Sequence, residues 1–135
     1  IHIVHDAGPG TPYDVTAPIG KIVDSVAPQG EEPTLTKNFP SSFTGTDLHE
    51  KLQALDCKEL VLAGFMTHMC VNSTARAAFE LGYRCTVVGD ATATRALPGG
   101  KDGDVVDAKT LKESSLSEIG DMFAVVVDTV DDLKK

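Results

Sequence analysis

Apolar positions along this chain fall into short runs, not one long periodic stripe. Ile1–His5 (IHIVH) alternates branched apolar and imidazole side chains, which predicts a short strand. Between Asp6 and Pro18 stand Gly8, Pro9, Gly10, Pro12 and Pro18, too many breakers for a helix, so this stretch reads as loop. Ile19–Val26 is ambiguous between irregular chain and one helical turn. PTLTK (Pro33–Lys37) reads as a second short strand and 38–45 as loop. Thr46 has the character of an N-cap, and Asp47 in the first turn complements the helix dipole. Leu48, Leu52 and Leu55 follow at helical spacing, so the prediction is a helix over Asp47–Leu55 with one apolar stripe.

ELVLAG (Glu59–Gly64) is apolar nearly throughout, the pattern of a strand buried on both faces. FMTHMC turns the chain. Cys70–Leu81 carries Val71, Thr74, Ala75, Ala78 and Leu81 on one helical face and is closed by Gly82. Arg84–Asp90 (RCTVVGD) reads as another buried strand, and a Gly-, Pro- and Thr-rich loop runs to about Gly103. Asp104–Ser115 is predicted helix, Phe123–Val127 a last strand, and Thr129–Leu133 a terminal turn.

Strands alternating with helices, and lacking polar alternation, predict an α/β fold with a mostly parallel sheet between helical layers, a three-layer α/β/α arrangement. Ligands bind such sheets beyond the carboxyl ends of the strands. That rule singles out the loops after His5, Lys37, Gly64 and Asp90. The chain holds 135 residues, 41% hydrophobic and 24% charged, which fits one globular domain over 1–135. It opens on Ile1 inside a strand pattern, so an element upstream is expected.

Charge narrows the partners. Twelve basic residues face 20 acidic ones, a net charge of -8. Binding to duplex nucleic acid or an anionic membrane needs a basic face, so neither is expected. No apolar run approaches the roughly 20 residues that span a bilayer. Three cysteines, Cys57, Cys70 and Cys85, are an odd number without metal-type spacing, which favours free thiols and a cytoplasmic protein.

The segment richest in chemistry is LVLAGFMTHMCVNSTARAAFELGY. A buried strand ends at Gly64, a tight turn follows, and Cys70 lies at or near the start of the next helix. Unpaired N–H groups at a helix start stabilise a thiolate and receive an oxyanion. The ordinary alternative is a buried, inert cysteine. Cys57, in a helix-to-strand link, and Cys85, inside a strand, are weaker candidates.

GFMTHMCVNSTARAAFELGY, followed by CTVVGDATAT, resembles the signature of the isochorismatase-like cysteine hydrolases, a family that includes nicotinamidases and N-carbamoyl amidohydrolases. TKNFPSSFTGTDLHEKL is similar to the family's segment around its catalytic lysine. The resemblance covers the whole chain and is densest over 33–95. It implies a Cys–Lys–Asp triad in which Cys70 is the nucleophile and Lys37 the lysine, with the amides of Met66 and Cys70 as oxyanion hole after a cis Phe65–Met66 peptide. It also implies that the triad's aspartate ends a strand preceding the one at His2. Asp6 follows the family's second strand and is not its equivalent. Activity is thus expected of a complete protein that supplies this aspartate, and a strand or partner chain is expected in that slot of the sheet. Self-association as a dimer or tetramer is implied by resemblance alone.

Around this pair, His5, Asp6, Phe43, Phe65, His68 and Thr92 are candidates to line the substrate pocket. Phe39 is, with Phe43 and Phe65, a candidate wall of an apolar pocket. Plainer alternatives are turn-capping for Asp6, a bonded loop histidine for His68, loop-capping for Thr92, and a subunit contact for Phe39 and Phe43. Arg76 and Arg95 are candidates to hold a substrate carboxylate, surface exposure being the commoner fate. His2 and His5 fall on opposite faces of a strand and form no ligand pair. Asp6 is followed by Ala7 and Gly8, so the nicotinamidases' Asp-x-His metal cluster is not matched, and neither metal nor cofactor is expected. GPGTP (Gly8–Pro12) lacks a phosphate loop's Gly-Lys-Ser/Thr ending.

The functional expectation is hydrolysis of a small amide or ureido C–N bond through a Cys70 thioester. The alternatives are an inactive scaffold of the same fold, because the triad aspartate is outside this chain, and a thiol redox sensor at Cys70.

Overall fold

The computed structural model describes residues 1–99 and 103–134. In chain order the elements are β1 (His2–His5), β2 (Thr34–Lys37), α1 (Leu48–Ala54), β3 (Glu59–Phe65), α2 (Asn72–Glu80), β4 (Arg84–Ala93), β5 (Leu97–Pro98), β6 (Val105–Val106), α3 (Ala108–Met122) and β7 (Val125–Val127). Residues 19–26 hold parts of two short 3-10 turns, Pro18–Gly20 and Asp24–Val26. The fold is α/β with parallel pairing. β1 and β2 form one parallel sheet, β3, β4 and β7 form another in the order β3-β4-β7, and β5 and β6 make an antiparallel ribbon. The two parallel sheets are not hydrogen-bonded to each other.

Leu60 and Leu62 of β3 share a face with Cys85 and Val87 of β4, and α1, α2 and α3 all pack on that face. Leu48, Leu52, Ala78 and Tyr83 fill one end, and Val71, Ala75 and Ile119 the other. ELVLAG predicts burial on both faces, yet β3 alternates: Val61 and Phe65 are exposed, as is Val125 on β7, across β4 from Val61. An all-apolar run has no polar face to show which side the helices will cover. The Glu59–Arg84 ion pair lies on the open side.

Helix ends depart from their predicted places for local reasons. Asp47, not Thr46, occupies the cap of α1 and pairs with Lys51. The Thr46 hydroxyl donates to the Ser42 carbonyl at 2.6 Å and accepts from the Leu48 N–H at 3.4 Å. Leu55 lies past the helix end and is 72% exposed, because the chain turns away at Asp56 (φ 49°). Leu81 likewise leaves the buried face at the end of α2, where Gly82 at φ 86° lets the Tyr83 N–H reach back to the Ala78 carbonyl at 2.9 Å. α3 starts at Ala108 rather than Asp104, because Val105 and Val106 pair with Leu97 and Pro98. Asp107 then caps it, accepting from the Thr110 N–H at 3.0 Å, and the helix continues to Met122. The predicted loop over 91–103 is in part strand, since β4 runs on to Ala93; positions 100–102 lie outside the described residues. Among the described residues no helix is long and apolar enough to cross a membrane.

Candidate active site

β3 ends in a tightly built turn. Gly64 adopts φ 116°, a conformation that L side chains rarely take, and the register against β4 shifts there: Leu62 faces Val87, but Gly64 faces Thr92. The Phe65–Met66 peptide is cis. A π-helical turn over Thr67–Val71 follows, with the Met66 carbonyl accepting from the N–H groups of Met69 (3.0 Å) and Val71 (3.2 Å). Cys70, half-buried, sits inside this wide turn, two residues before α2 begins. The predicted position, at a helix start, is therefore refined to the preceding turn.

Three threonines stitch this turn to β4 and the chain beyond it. The Thr67 hydroxyl donates to Thr92 Oγ1 at 3.1 Å, and Thr92 donates to the Gly89 carbonyl at 3.1 Å. His68 Nδ1 contacts the Thr94 hydroxyl, while its Nε2 is buried with no hydrogen-bond partner among the described residues. Burial first, then the charge of Arg95, holds the His68 imidazole below its ordinary pKa.

Lys37 approaches from the other sheet. It ends β2 and is only 3% exposed, a rare state for lysine unless its ammonium is paired. Nζ contacts the Phe39 carbonyl at 2.8 Å, His5 Nδ1 at 3.1 Å and Cys70 Sγ at 3.3 Å. A cation, a thiol and an imidazole from positions 37, 70 and 5 thus converge at the carboxyl ends of β1 to β3. Burial, then the Lys37 charge, holds His5 below its ordinary pKa, so the ring is neutral at pH 7. Among the described residues no carboxylate oxygen lies within ion-pair distance of Lys37.

The other predicted pocket residues divide. Phe65, 74% exposed, stands at the end of β3 beside the turn. Asp6 accepts from the Gly8 N–H at 2.8 Å and shapes its own loop. Phe43 stacks on Tyr83 (5.8 Å between centroids) and packs with the core of α1. Thr92 is buried, its hydroxyl engaged as above. Arg76 binds Asn72 at 2.7 Å, pairs with Glu118 and lies 4.0 Å over the Phe123 ring, so it ties α2 to α3. Arg95 reaches the Ala96 carbonyl at 3.4 Å. Burial raises the Cys85 thiol to a pKa of about 11, so it is inert at neutral pH. Among the described residues no three His, Cys, Asp or Glu side chains are grouped to hold a metal ion. Sequence reasoning missed the Phe39 carbonyl, for which a sequence carries no signal, and Thr67, whose place directly after the turn's first residue was the available clue.

Comparison with known proteins gives the family and the fold. The isochorismatase-domain family model matches residues 14–131. The chain is 36% identical over 132 residues to a secreted isochorismatase effector of Verticillium dahliae, covering 97% of this chain and 66% of that protein. It is 32% identical over 127 residues to a streptothricin hydrolase of Streptomyces noursei, covering 93% of this chain and 46% of the other. Among solved structures, an isochorismatase from Pseudomonas putida KT2440 superposes with a TM-score of 0.90 at 38% identity, over 96% of this chain and 66% of that one. The chain thus spans two thirds or less of the length of each.

Proposed function

We propose that this chain, which belongs to the isochorismatase family, carries the nucleophile and cation of a cysteine hydrolase that cleaves a small amide or ureido C–N bond. The observation that carries this reading is the 3.3 Å contact between Lys37 Nζ and Cys70 Sγ, groups 33 positions apart that meet at strand ends. A buried lysine Nζ 3.3 Å from a half-buried sulfur sets a cation where an attacking sulfur carries its charge. The hydrolase relative from Streptomyces supports the reaction class.

In this mechanism the Cys70 thiolate attacks the substrate carbonyl carbon, and the carbonyl π pair moves to oxygen. The Met66 and Cys70 amides donate to that oxyanion, each donor contributing about 3 kcal/mol to the transition state. In this reading the family's aspartate takes the thiol proton as the thiolate forms; collapse breaks the C–N bond, and the amine leaves with that proton. Water then adds to the thioester carbonyl and gives a proton to the same carboxylate; the C–S bond breaks, the acid departs, and the proton returns to the sulfur. Lys37 stays an ammonium and holds the sulfur's charge. The family's proton-accepting aspartate belongs, in this reading, to a strand seated between β1 and β3, which are not paired with each other. Catalysis is accordingly proposed for a protein that provides that strand, in a reducing compartment that keeps Cys70 free. A second reading, a binding or scaffold domain without turnover, is favoured by one observation: no described carboxylate meets Lys37.

The test is Cys70→Ala in the complete protein. Wild type is screened against nicotinamide, N-carbamoyl amino acids, ureidoacrylate-like compounds and isochorismate, with intact-mass detection of an acyl adduct. Turnover with an adduct lost in C70A supports the cysteine hydrolase. Turnover unchanged in C70A overturns the mechanism, and the absence of both turnover and adduct supports the scaffold.

A further inference from the structure

The geometry points to His5 as the positioning residue that aims the Lys37 ammonium at Cys70. This rests on the reading of Cys70 as nucleophile and Lys37 as its cation, and it adds a residue which that reading uses only as a pocket wall. An ammonium has three protons. Lys37 has three acceptors: the Phe39 carbonyl at 2.8 Å, His5 Nδ1 at 3.1 Å and Cys70 Sγ at 3.3 Å. Two of these hold the group, and the third is the atom it serves. The side chain is 3% exposed, so solvent is poorly placed to replace a missing acceptor.

The placement of His5 follows from the fold. His5 and Lys37 are register partners on parallel β1 and β2, and in-register neighbours project to the same face. Tyr13 sets the ring from outside, edge-on at 5.2 Å and 77°, brought there by the Ala7 N–H bond to the Tyr13 carbonyl at 3.2 Å. To accept from an ammonium, Nδ1 must be unprotonated, which makes Nε2–H the required tautomer. An imidazolium in this place would set two cations against each other.

If His5 only filled space, a leucine would serve. If it supplies a lone pair, a leucine leaves one ammonium proton unpaired in a buried site. The ammonium is then no longer held toward Sγ, and the sulfur loses the cation that supports its attack. An asparagine carries its Oδ1 near the place of Nδ1 and preserves the acceptor without the ring.

The experiment is alkylation of the intact protein by iodoacetamide at pH 7, with the Cys70 peptide followed by mass spectrometry, in wild type, H5L, H5N and K37M. The inference expects H5L to react about tenfold more slowly, as befits the loss of one charge-assisted hydrogen bond, and H5N to stay within about threefold of wild type. H5L at the wild-type rate, with K37M slow, overturns the role of His5 and leaves the Cys70–Lys37 reading standing. H5N as slow as H5L overturns the lone-pair argument in favour of ring packing. K37M at the wild-type rate overturns the underlying reading and this inference with it. Should H5L fail to fold, imidazole nitrogen NMR of the wild type decides: Nε2 protonated and Nδ1 bare at pH 7 supports the assignment, and the Nδ1–H tautomer or imidazolium refutes it.

Discussion

The strongest energetic prediction concerns Thr92→Val. Valine matches threonine in shape, so the change opens no cavity and removes one hydroxyl. That hydroxyl accepts from Thr67 and donates to the Gly89 carbonyl, both at 3.1 Å, while Thr92 is 3% and Thr67 0% exposed. Stranding the Thr67 donor costs about 1–3 kcal/mol, and the lost bond to Gly89 adds about 1 kcal/mol. The sum, roughly 2–4 kcal/mol, is a large share of the ~5–15 kcal/mol that holds a domain together. In urea, with a slope of about 1–2 kcal/mol per molar, the midpoint falls by at least about 1 M at unchanged slope. Thr67→Val completes a double-mutant cycle. With both hydroxyls gone no donor is stranded at Thr67, so the double variant is more stable than the sum of the single losses implies, by about 1 kcal/mol or more. Strict additivity, or a T92V midpoint within ~0.2 M of wild type, refutes the claim that this pair is a closed buried unit fastening the Cys70 turn to β4.

Two further outcomes are expected. His5 and His68 are both held below the ordinary imidazole pKa of 6.5 by burial, with Lys37 and Arg95 adding to it and with Asp6 and the Phe39 carbonyl opposing at His5. Protons therefore prefer the unfolded chain: their contribution is fully present above pH 6.5 and is lost as pH falls below 6.5 through the folded values. Urea midpoints at pH 7.5, 6.5 and 5.5 check this. The carboxylates held below their ordinary values, Asp14 and Asp107 among them, act only at more acid pH, and a flat profile across the window in the wild type contradicts the assignment. Arg76→Ala removes the contacts to Asn72, Glu118 and the Phe123 ring and lowers stability by about 1–2 kcal/mol. Because Arg76 touches α3 and not the turn, Cys70 alkylation at pH 7 stays at the wild-type rate in R76A; a marked slowing would place Arg76 in the site instead.

Legibility in the sequence followed the range of the interactions. Short strands at His2–His5 and Thr34–Lys37 and the helix through Ala75 and Ala78 were readable, because alternation, helical spacing and a closing glycine act between residues a few places apart. The segment around Cys70 stood out through its resemblance to a family, while the turn itself is set locally, with Gly64 at φ 116°. Helix ends such as Leu55, Leu81 and Asp104 were misplaced because a ribbon partner or a turning chain outweighs local preference there.

By itself the sequence singled out Cys70 and Lys37 as candidates, through its resemblance to a family, and marked most segments that become strands and helices. The tertiary structure decided what those residues touch. It moved Phe43 into the core beside Tyr83, set Thr92 beneath the turn, left one face of β3 open, and brought the neutral ring of His5 against the ammonium of Lys37. The reason is physical: composition and spacing fix a side chain's own preferences, whereas burial, an acceptor at 3 Å and the sign of a neighbouring charge come from segments distant in the chain, which only packing brings together.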